Sequence, residues 1–410
     1  MALEFFEEFG WNATVLAVSP DAVEAVNEPL LEATVHQSTH VVRTNACRTS
    51  WTRRFGLGSL AIRAYPFLRR AGANLLSRDN YDVVFFSTTQ FPVMALGRKW
   101  LNEFGVPYVL DFQDPWRNDY YDRTGVRPPG GKLKFAFAKT LARVLEPRVL
   151  RAAAQIVSVS PAYPEMLMSR YTWLRPEQFT VLPFGAKQSD FESVRKFNVK
   201  QQVFDPTDGK RHWVYVGRAG ADMAFALKAF FHALKLTIQV RPELADKLQI
   251  HFVGTAYAPE GRGSKTVEPL ARECGVECVV SEKTGRVPYF EALRCLLDAD
   301  ALVVPGSDDA GYTASKIYPY ILAKKPLLAV FHRQSTVIDV LRKTKAGNVV
   351  SFQEGETAAD VAQRILETGW LSGTPYPQTD WTGFEQYTAR EMTRRLCQVL
   401  DATAKCSHKR

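Results

Sequence analysis

Short apolar runs rich in β-branched and aromatic residues alternate along the chain with longer amphipathic segments. This alternation is typical of βα units, in which crossover helices join parallel strands, and not of an antiparallel sandwich. In the first half the pattern predicts strands at Thr14–Val18, His40–Thr44, Asp82–Ser87, Tyr108–Phe112, Gln155–Ser160 and Phe179–Pro183. In the second half it predicts them at Trp213–Gly217, Gln249–Gly254, Cys278–Ser281, Ala301–Pro305, Pro326–Phe331 and Asn348–Ser351.

A polar stretch from Gly185 to Gly209 separates the two sets of strands. We therefore predict an α/β protein with a Rossmann-like domain at 1–190, a linker at 191–209, a second Rossmann-like domain at 210–375 and a C-terminal segment at 376–410. The periodicity predicts a helix over Phe384–Ala402 that packs back on the first domain. Doubly wound sheets bind ligands at the carboxyl ends of their strands, so the chemistry is expected in a cleft between the domains.

Composition is that of an ordinary globular protein. The chain has 410 residues, of which 46% are hydrophobic and 23% charged, and this length suits two or three domains. No apolar run approaches the ~20 residues that span a bilayer, and the first ten residues lack the basic flank of a secretory signal. The six cysteines show no pairing pattern, which favours a reducing, cytoplasmic location.

Positive charge is concentrated in one stretch of the chain. The net charge is +9, and no acidic residue lies between Glu32 and Asp79. Large apolar residues interleave with the arginines there, as on a surface that meets anionic lipid on the inner face of a membrane, or another polyanion. A solvated basic face over a core remains the alternative. The arginines are Arg43, Arg48, Arg53, Arg54, Arg63, Arg69, Arg70 and Arg78.

Two loops of the second domain have the chemistry of a phosphate site. Gly217 and Gly220 flank Arg218 between a strand and an amphipathic helix, where free backbone N–H groups and a guanidinium can bind a phosphate. A tight turn without a ligand is the alternative. After Pro305, Thr313 or Ser315 can cap the next helix. Lys316 in its first turn opposes the helix dipole unless an anion lies there.

Two carboxylates end a strand of the first domain. Asp111 and Asp114 stand in the run Leu110–Trp116, where Pro115 stops the strand, and they are the candidate catalytic groups. Asp114 is alternatively an Asx-turn residue. The seven histidines are isolated, although His332 follows a strand at the predicted cleft. The chain has no serine-hydrolase elbow, no nicotinamide fingerprint and no metal-ligand pattern.

The order of these motifs resembles the GT-B glycosyltransferases, specifically the large retaining family numbered four. The resemblance covers nearly the whole chain. In the first domain it is carried by Asp82–Ser87, Gly105–Trp116, Ile156–Pro161 and Val181–Gly185. In the second domain it is carried by Tyr215–Arg218, Phe252–Gly254, Gly285–Tyr289, Ala299–Ala301 and Ser315–Ala323.

The resemblance implies transfer of a sugar, with retention and without a metal or other cofactor, from a nucleotide-diphosphate sugar to a saccharide or lipid-linked acceptor. Gly217, Arg218 and Lys316 would hold the diphosphate. No nucleic acid is expected as a partner. Pro319 and Gly311 replace two family carboxylates, which leaves a catalytically degenerate scaffold or a sugar-nucleotide epimerase as alternatives.

The resemblance also implies that the first strand of the first domain is missing. Leu3–Gly10 is expected to be the end of a helix, and Thr14–Val18 would then be the second strand of the family sheet. A doubly wound sheet keeps its first strand at the centre, so its absence would leave two neighbouring strands without a ladder partner. We therefore expect Met1 to be an internal start, with a divergent sheet that has paired again as the alternative.

Overall fold

The computed structural model describes residues 1–23, 28–36, 39–52, 58–117, 131–256, 263–309 and 316–407. The chain divides into two compact units. Unit 1 comprises Met1–Asn27, Val35–Phe184 and Arg390–Arg410. Unit 2 comprises Glu28–Thr34 and Gly185–Ala389.

All twelve predicted strands are present, and every sheet is parallel. In unit 1 the strands are β1 (Thr14–Val18), β2 (His40–Thr44), β3 (Val84–Ser87), β4 (Tyr108–Phe112), β5 (Gln155–Ser158) and β6 (Phe179–Val181). In unit 2 they are β7 (Arg211–Val216), β8 (Leu248–Val253), β9 (Val280–Lys283), β10 (Ala301–Pro305), β11 (Leu327–His332) and β12 (Asn348–Phe352).

Helices connect the strands, as the amphipathic segments predict. The first nine are α1 (Pro29–Glu32), α2 (Thr49–Thr52), α3 (Leu60–Arg78), α4 (Ala95–Phe104), α5 (Lys132–Ala152), α6 (Ala162–Arg170), α7 (Gln188–Lys196), α8 (Ala224–Val240) and α9 (Glu243–Lys247). The others are α10 (Val267–Cys274), α11 (Tyr289–Asp298), α12 (Ile317–Leu322), α13 (Thr336–Thr344), α14 (Ala358–Glu367), α15 (Trp370–Gly373), α16 (Trp381–Phe384) and α17 (Ala389–Ser407).

Unit 2 is a doubly wound domain with one six-stranded sheet. The strand order is β12-β11-β10-β7-β8-β9, so the order reverses between β7 and β10. Ligands of such sheets bind at this switch point. Helix α8 and the turn before it, Ala221–Val240, are long and apolar enough to cross a membrane, but half of that stretch is buried. Its buried side chains belong to the core around the sheet, which explains its composition.

The sheet of unit 1 is divided. One part has four strands in the order β3-β4-β5-β6, and the other contains only β1 and β2. The division falls between β1 and β3, the place where the sequence predicts a missing central strand. Side chains of β4 alternate between the two faces of the sheet, since Leu110 belongs to one core cluster and Val109 to the other.

The two faces of this sheet are covered by different segments. On one face, helices α3, α4, α5 and α6 contribute Leu68, Trp100, Leu150 and Leu167 to a common core. On the other face, helix α17 and the N-terminal turn around Phe6 pack together. The C-terminal helix therefore belongs to unit 1 from Arg390 onward.

Two expectations differ from the structure. The segment expected as a linker at 191–209 begins within helix α7, whose Phe191 and Val194 are buried in unit 2. The polar residues at the start of this segment form the exposed side of helix α7, which is amphipathic. In the basic stretch, Arg63 is only 5% exposed, because its guanidinium donates to the carbonyl oxygens of Cys47 at 2.6 Å and Ala22 at 3.2 Å.

We predict that helix α17 contributes strongly to the stability of unit 1. Leu400 is 3% exposed in the core that this helix shares with β4 and β5, so Leu400→Ala should lower the free energy of unfolding by ~2 to 5 kcal/mol. Gln398 is exposed on the same helix, and Gln398→Ala should change it by less than ~0.5 kcal/mol. Denaturant unfolding measures both, and equal effects would contradict this packing.

Candidate functional site

The turn after β7 brings backbone and cationic side chains together in unit 2. Gly217 has φ +153°, and a Cβ at this position would overlap Nζ of Lys316. Gly220 leaves space in the same way, since a Cβ there would overlap Nη1 of Arg218 and a carboxylate oxygen of Asp222. The positive φ of Gly217 favours glycine, whereas at Gly220 the ends of the Arg218 and Asp222 side chains would have to shift to admit a Cβ.

Two tyrosines hold this turn in place. The hydroxyl of Tyr320, on α12, accepts from the N–H of Val216 at 2.6 Å and lies 3.1 Å from the Val216 carbonyl. The hydroxyl of Tyr215 donates to the Arg218 carbonyl at 2.6 Å. Helix α12 is thus tied to the end of β7, which places Lys316, the residue before α12, beside Gly217.

Arg218 is oriented by a carboxylate. Its two terminal nitrogens each donate to Asp222 at 2.7 Å, a bidentate pair. Burial raises the pKa of Asp222, but the hydrogen bonds and charge of Arg218 outweigh it and hold that pKa below its usual range. The guanidinium is therefore fixed near the turn, although part of its donor capacity is used within the protein.

Lys316 has no such carboxylate among the described residues. Its ammonium lies 5.9 Å from the centre of the Tyr215 ring, and among the described residues Arg218, which is also positive, is the charged group that lowers its pKa. Burial and, secondarily, Arg218 lower the pKa of Lys316 from 10.5 to about 8. A buried cation beside another cation is unfavourable, and an anionic ligand would relieve it.

A buried carboxylate organises the loops next to this turn. Glu282, at the end of β9, is 6% exposed and accepts from the hydroxyl of Thr255 at 2.6 Å. It also accepts from the backbone N–H groups of Thr266, Val267 and Glu268, which begin α10. The Thr266 hydroxyl then donates to the carbonyl of Ala219 at 2.6 Å. The turn that contains Gly217 and Gly220 is therefore held in place by contacts from β9 as well as from α12.

An open cavity of about 1020 Å³ lies at the carboxyl ends of β10, β11 and β12. Asp308 and His332 line it, so His332 lies at a cavity of unit 2. Burial, and then the neighbouring charge of Asp222, raise the pKa of Asp308. The backbone N–H of Asp308 donates to the Asp222 carbonyl at 2.8 Å, which links this cavity to the Arg218 turn.

In unit 1, Asp111 lies in a side-chain network. It is 8% exposed, and its Oδ2 accepts from Ser87 Oγ at 2.9 Å and from Gln113 Nε2 at 2.8 Å. Burial raises the pKa of Asp111, and the hydrogen bonds from Gln113 and Ser87 oppose that rise. These contacts join the ends of β3 and β4.

Asp114 is exposed and stands where β4 ends. Partial burial raises the pKa of Asp114, and its charge in turn raises the pKa of Tyr163. Two residues later, Trp116 stacks on Phe91 with ring centres 5.5 Å apart. This aromatic pair lines a mainly apolar cavity of about 280 Å³ that also includes Phe135 of α5.

Three residues named from the sequence lie outside the described residues. These are Thr313, Ser315 and Gly311. The structure therefore brings together Gly217, Arg218, Gly220 and Lys316. Sequence reasoning gave no function to Tyr320, Asp222 or Glu282. Tyr320 lies in the run Ser315–Ala323 that carries the family resemblance, and Asp222 lies four residues after Arg218, whereas Glu282 stands in no segment that was singled out.

We predict that Lys316 destabilises the ligand-free protein. Because the pKa of Lys316 is lower in the folded chain than in the unfolded one, the unfolded state binds more protons between pH 8 and 10.5, and stability should rise across that interval. Lys316→Met should therefore raise the free energy of unfolding at pH 7 by up to ~3 kcal/mol and remove this rise with pH. Thermal unfolding at pH 7 and pH 10 measures both. A variant less stable at pH 7 than the parent would contradict the assignment.

Comparisons with known proteins concern the first domain and the fold. Residues 4–185 match the family described as Glycosyl transferase 4-like domain. No curated protein matches the chain significantly. Among solved structures, a glycosyltransferase from Rickettsia africae matches with a TM-score of 0.55 and 12% identity, covering 96% of this chain and 99% of that one.

Two further structures match over nearly their whole length. HepE of Anabaena, solved with UDP and glucose, has a TM-score of 0.56 and 13% identity, covering 95% of this chain and 99% of that one. A UDP-forming α,α-trehalose-phosphate synthase from Burkholderia vietnamiensis has a TM-score of 0.56 and 12% identity, covering 96% and 100%. The chain therefore has the GT-B fold, and its residues 4–185 match a glycosyl transferase 4-like domain.

Proposed function

We propose that this protein transfers a sugar from a UDP-sugar to a lipid-linked acceptor, with retention at the anomeric carbon and without a metal. Unit 2 binds the donor and unit 1 binds the acceptor. The structure of HepE contains UDP and glucose, and the trehalose-phosphate synthase is UDP-forming, which supports UDP as the nucleotide of the donor. The retaining outcome follows from the resemblance to family four.

The ammonium of Lys316, packed against Gly217 next to Arg218, is the observation that carries the donor assignment. The lowered pKa of Lys316 means that its charge is poorly compensated in the ligand-free chain. A diphosphate beside Gly217 would supply the missing negative charge and accept hydrogen bonds from both the ammonium and the backbone. Arg218, held by Asp222, would provide the second cation.

These groups also suit the chemistry of the transfer. As the glycosidic bond to the donor breaks, negative charge develops on the departing diphosphate. Cations that are already in position stabilise that charge without reorganising, and this effect is often the largest part of an enzymatic rate enhancement. Lys316 and Arg218 therefore act on the leaving group, whereas no covalent step on the protein is required.

The cavity of unit 1 favours an acceptor with an apolar part. It is walled by the Phe91–Trp116 pair and by α5, and its exposed lining is mainly apolar. A free saccharide would leave its hydroxyl groups unpaired against such walls, while a lipid chain would not. Asp114 follows the end of β4 and stands two residues before Trp116. It is the proposed general base for the acceptor hydroxyl. Asp111 positions it through the network with Gln113.

Helix α5 supports a location at the cytoplasmic face of a membrane. Phe137 and Val144, seven residues apart on one side of this helix, are 50% and 44% exposed. Lys134 and Arg143 are exposed beside them. The basic stretch between Glu32 and Asp79 contains eight arginines. Five of them are exposed and Arg63 is buried, while Arg53 and Arg54 lie outside the described residues. A basic surface with exposed aromatic groups is typical of contact with anionic lipid.

A catalytically degenerate binding protein is the second candidate. Pro319 stands in α12 where the family has a carboxylate, and Arg218 is already paired with Asp222. This candidate differs from the first in one measurable respect, since it would bind UDP without consuming any UDP-sugar. Overnight turnover assays with a panel of UDP-sugars distinguish the two.

We predict that Lys316→Met weakens UDP binding by at least ~30-fold, equivalent to ~2 kcal/mol, because it removes a charged partner of a buried anion. Lys343 is exposed on α13, so Lys343→Met should bind UDP like the parent. Isothermal titration calorimetry with UDP measures both affinities. If the Lys316 variant binds as tightly as the parent, the diphosphate does not lie at this turn.

We predict that the protein binds anionic vesicles through α5. Phe137→Ser should weaken binding to phosphatidylglycerol vesicles by about tenfold, because part of a phenylalanine no longer enters the lipid. Leu236 of α8 is 45% exposed in unit 2 and gives the matched control Leu236→Ser. Binding should also fall as salt rises from 0.1 M to 1 M, since the Debye length shrinks from ~10 Å to ~3 Å. Equal sedimentation with phosphatidylcholine vesicles would exclude this surface.

A further inference from the structure

Two buried histidines lie side by side in the sheet of unit 2. His212, the second residue of β7, is 1% exposed, and His251 of β8 is 7% exposed. Nδ1 of His212 lies 3.0 Å from Nε2 of His251, which is a hydrogen-bond distance. We call these two residues the histidine pair. The pair lies near the start of β7, whereas the Gly217 turn follows the end of this strand.

The histidine pair is the middle of a chain of hydrogen bonds. At one end of the chain, Nε2 of His212 lies 2.9 Å from Oδ1 of Asp208. At the other end, Nδ1 of His251 lies 2.9 Å from Oγ of Ser281. Ser281 is the residue that stands opposite His251 in the ladder between β8 and β9. All four ring nitrogens of the pair therefore have a partner.

This chain fixes the position of each proton. The N–H of Lys210 donates to Asp208 at 2.8 Å and is the main cause that lowers the pKa of Asp208, so this carboxylate is ionised and can only accept. His212 must then carry its proton on Nε2 and accept at Nδ1. His251 must donate from Nε2 and accept at Nδ1 from the Ser281 hydroxyl. Each neutral ring thus has the one proton that its partners require.

The same chain limits how many further protons the pair can bind. One added proton is accommodated when His251 carries its proton on Nδ1, because His212 then donates from both of its nitrogens. A second added proton would set two N–H groups against each other across 3.0 Å. The folded pair therefore holds at most one extra proton, whereas two separate imidazoles hold two below pH ~6.5. In agreement, burial and then the charge of His212 lower the pKa of His251 to about 4.

The charged groups around the pair do not compensate a second proton. Asp300, before β10, accepts from the backbone N–H of His212 at 2.7 Å and is engaged there. Asp208 already accepts from Nε2 of His212, and Asp205 interacts with this ring through its charge. Lys210 is positive and acts in the opposite sense, since it contributes to lowering the pKa of His251.

A short segment between α7 and β7 covers the histidine pair. This covering segment consists of residues 201–210, most of which are exposed. The ring of Phe204 stacks on both imidazoles, with its centre 4.5 Å from that of His212 and 4.8 Å from that of His251. Together with the Asp208 hydrogen bond, this stack fixes the covering segment on the sheet.

Most hydrogen bonds of the covering segment are internal. Oε1 of Gln201 accepts from the backbone N–H groups two and three residues later, at 2.7 Å and 3.1 Å. Asp205 likewise accepts from the N–H two residues later at 2.9 Å. A bond to the rest of unit 2 runs from the N–H of Gln202 to Glu291 at 3.2 Å. The covering segment can therefore leave the sheet without breaking a strand, because its internal bonds move with it.

We propose that the histidine pair is an acid-sensitive switch, which releases the covering segment from the sheet of unit 2 when the pair binds a second extra proton. Release exposes both rings to water, so each imidazolium is hydrated and the two N–H groups no longer oppose each other. The covering segment moves, and not the histidines, because these belong to β7 and β8. The closed form binds fewer protons than the open form, so it loses stability as the pH falls from ~6.5 toward 4. The proposal is independent of sugar transfer.

Hydrogen exchange of the full chain, corrected for the intrinsic effect of pH on exchange, tests this proposal. Segment 301–305 is the reference, because every residue of β10 is buried. The protection of residues 201–210 should fall at least ~tenfold from pH 7 to pH 5, since a difference of one bound proton changes an equilibrium by ~tenfold per pH unit. The protection of segment 301–305 should stay the same.

A pair of matched variants isolates the histidine pair. His251→Gln removes one titrating ring, while its amide can still donate to Nδ1 of His212. In this variant the protection of residues 201–210 should change by less than ~threefold between pH 7 and pH 5. His40 is exposed on β2, so His40→Gln makes the same chemical change elsewhere and should keep the response of the parent.

Nitrogen-15 NMR of the parent chain with labelled histidine gives a reading that needs no variant. At pH 7.5 we expect two rings with their proton on Nε2, joined by a scalar coupling across the N–H···N bond. Equal protection of residues 201–210 at pH 7 and pH 5 would overturn the proposal, and so would a His251→Gln variant that responds to acid like the parent. Two fully protonated rings under a covering segment that is still protected would also overturn it.

Discussion

The positive charge of Lys316 against the backbone of Gly217 is the constraint on which the candidate site depends. Nothing in the described part of unit 2 neutralises this ammonium, and burial lowers its pKa to about 8. The position is nevertheless maintained, because the Tyr320 hydroxyl holds the start of α12 at the end of β7. Gly217 is the residue that makes room for it. The turn therefore stores unfavourable electrostatic energy that an anion can release.

The sequence predicted the strands well because their signals are local. Thr14–Val18, Tyr108–Phe112 and Ala301–Pro305 are short apolar runs bounded by polar or turn residues, and the structure has them with the same ends. The alternation of these runs with longer amphipathic segments also predicted the parallel sheets. The division between β1 and β3 was expected from the resemblance to a family whose first strand had no counterpart here, not from periodicity.

What the sequence could not provide were contacts between distant residues. Glu282 accepts from residues fourteen to sixteen positions earlier, and no local pattern marks it. Arg63 belongs to a run of arginines, but it is buried because its guanidinium donates to two backbone carbonyl groups. The side-chain directions of such residues depend on tertiary packing, and local sequence patterns do not predict contacts between residues that are distant along the chain.

The titration of Lys316 itself tests the central claim most directly. NMR of the protein with isotope-labelled lysine, assigned by comparison with Lys316→Met, would follow the side chain of this residue from pH 6 to 11 with and without UDP. We predict a pKa near 8 for the free protein, from the burial of the ammonium, and a pKa above ~10 when UDP neutralises its surroundings. A Lys316 pKa that is the same with saturating UDP as without it would contradict the account.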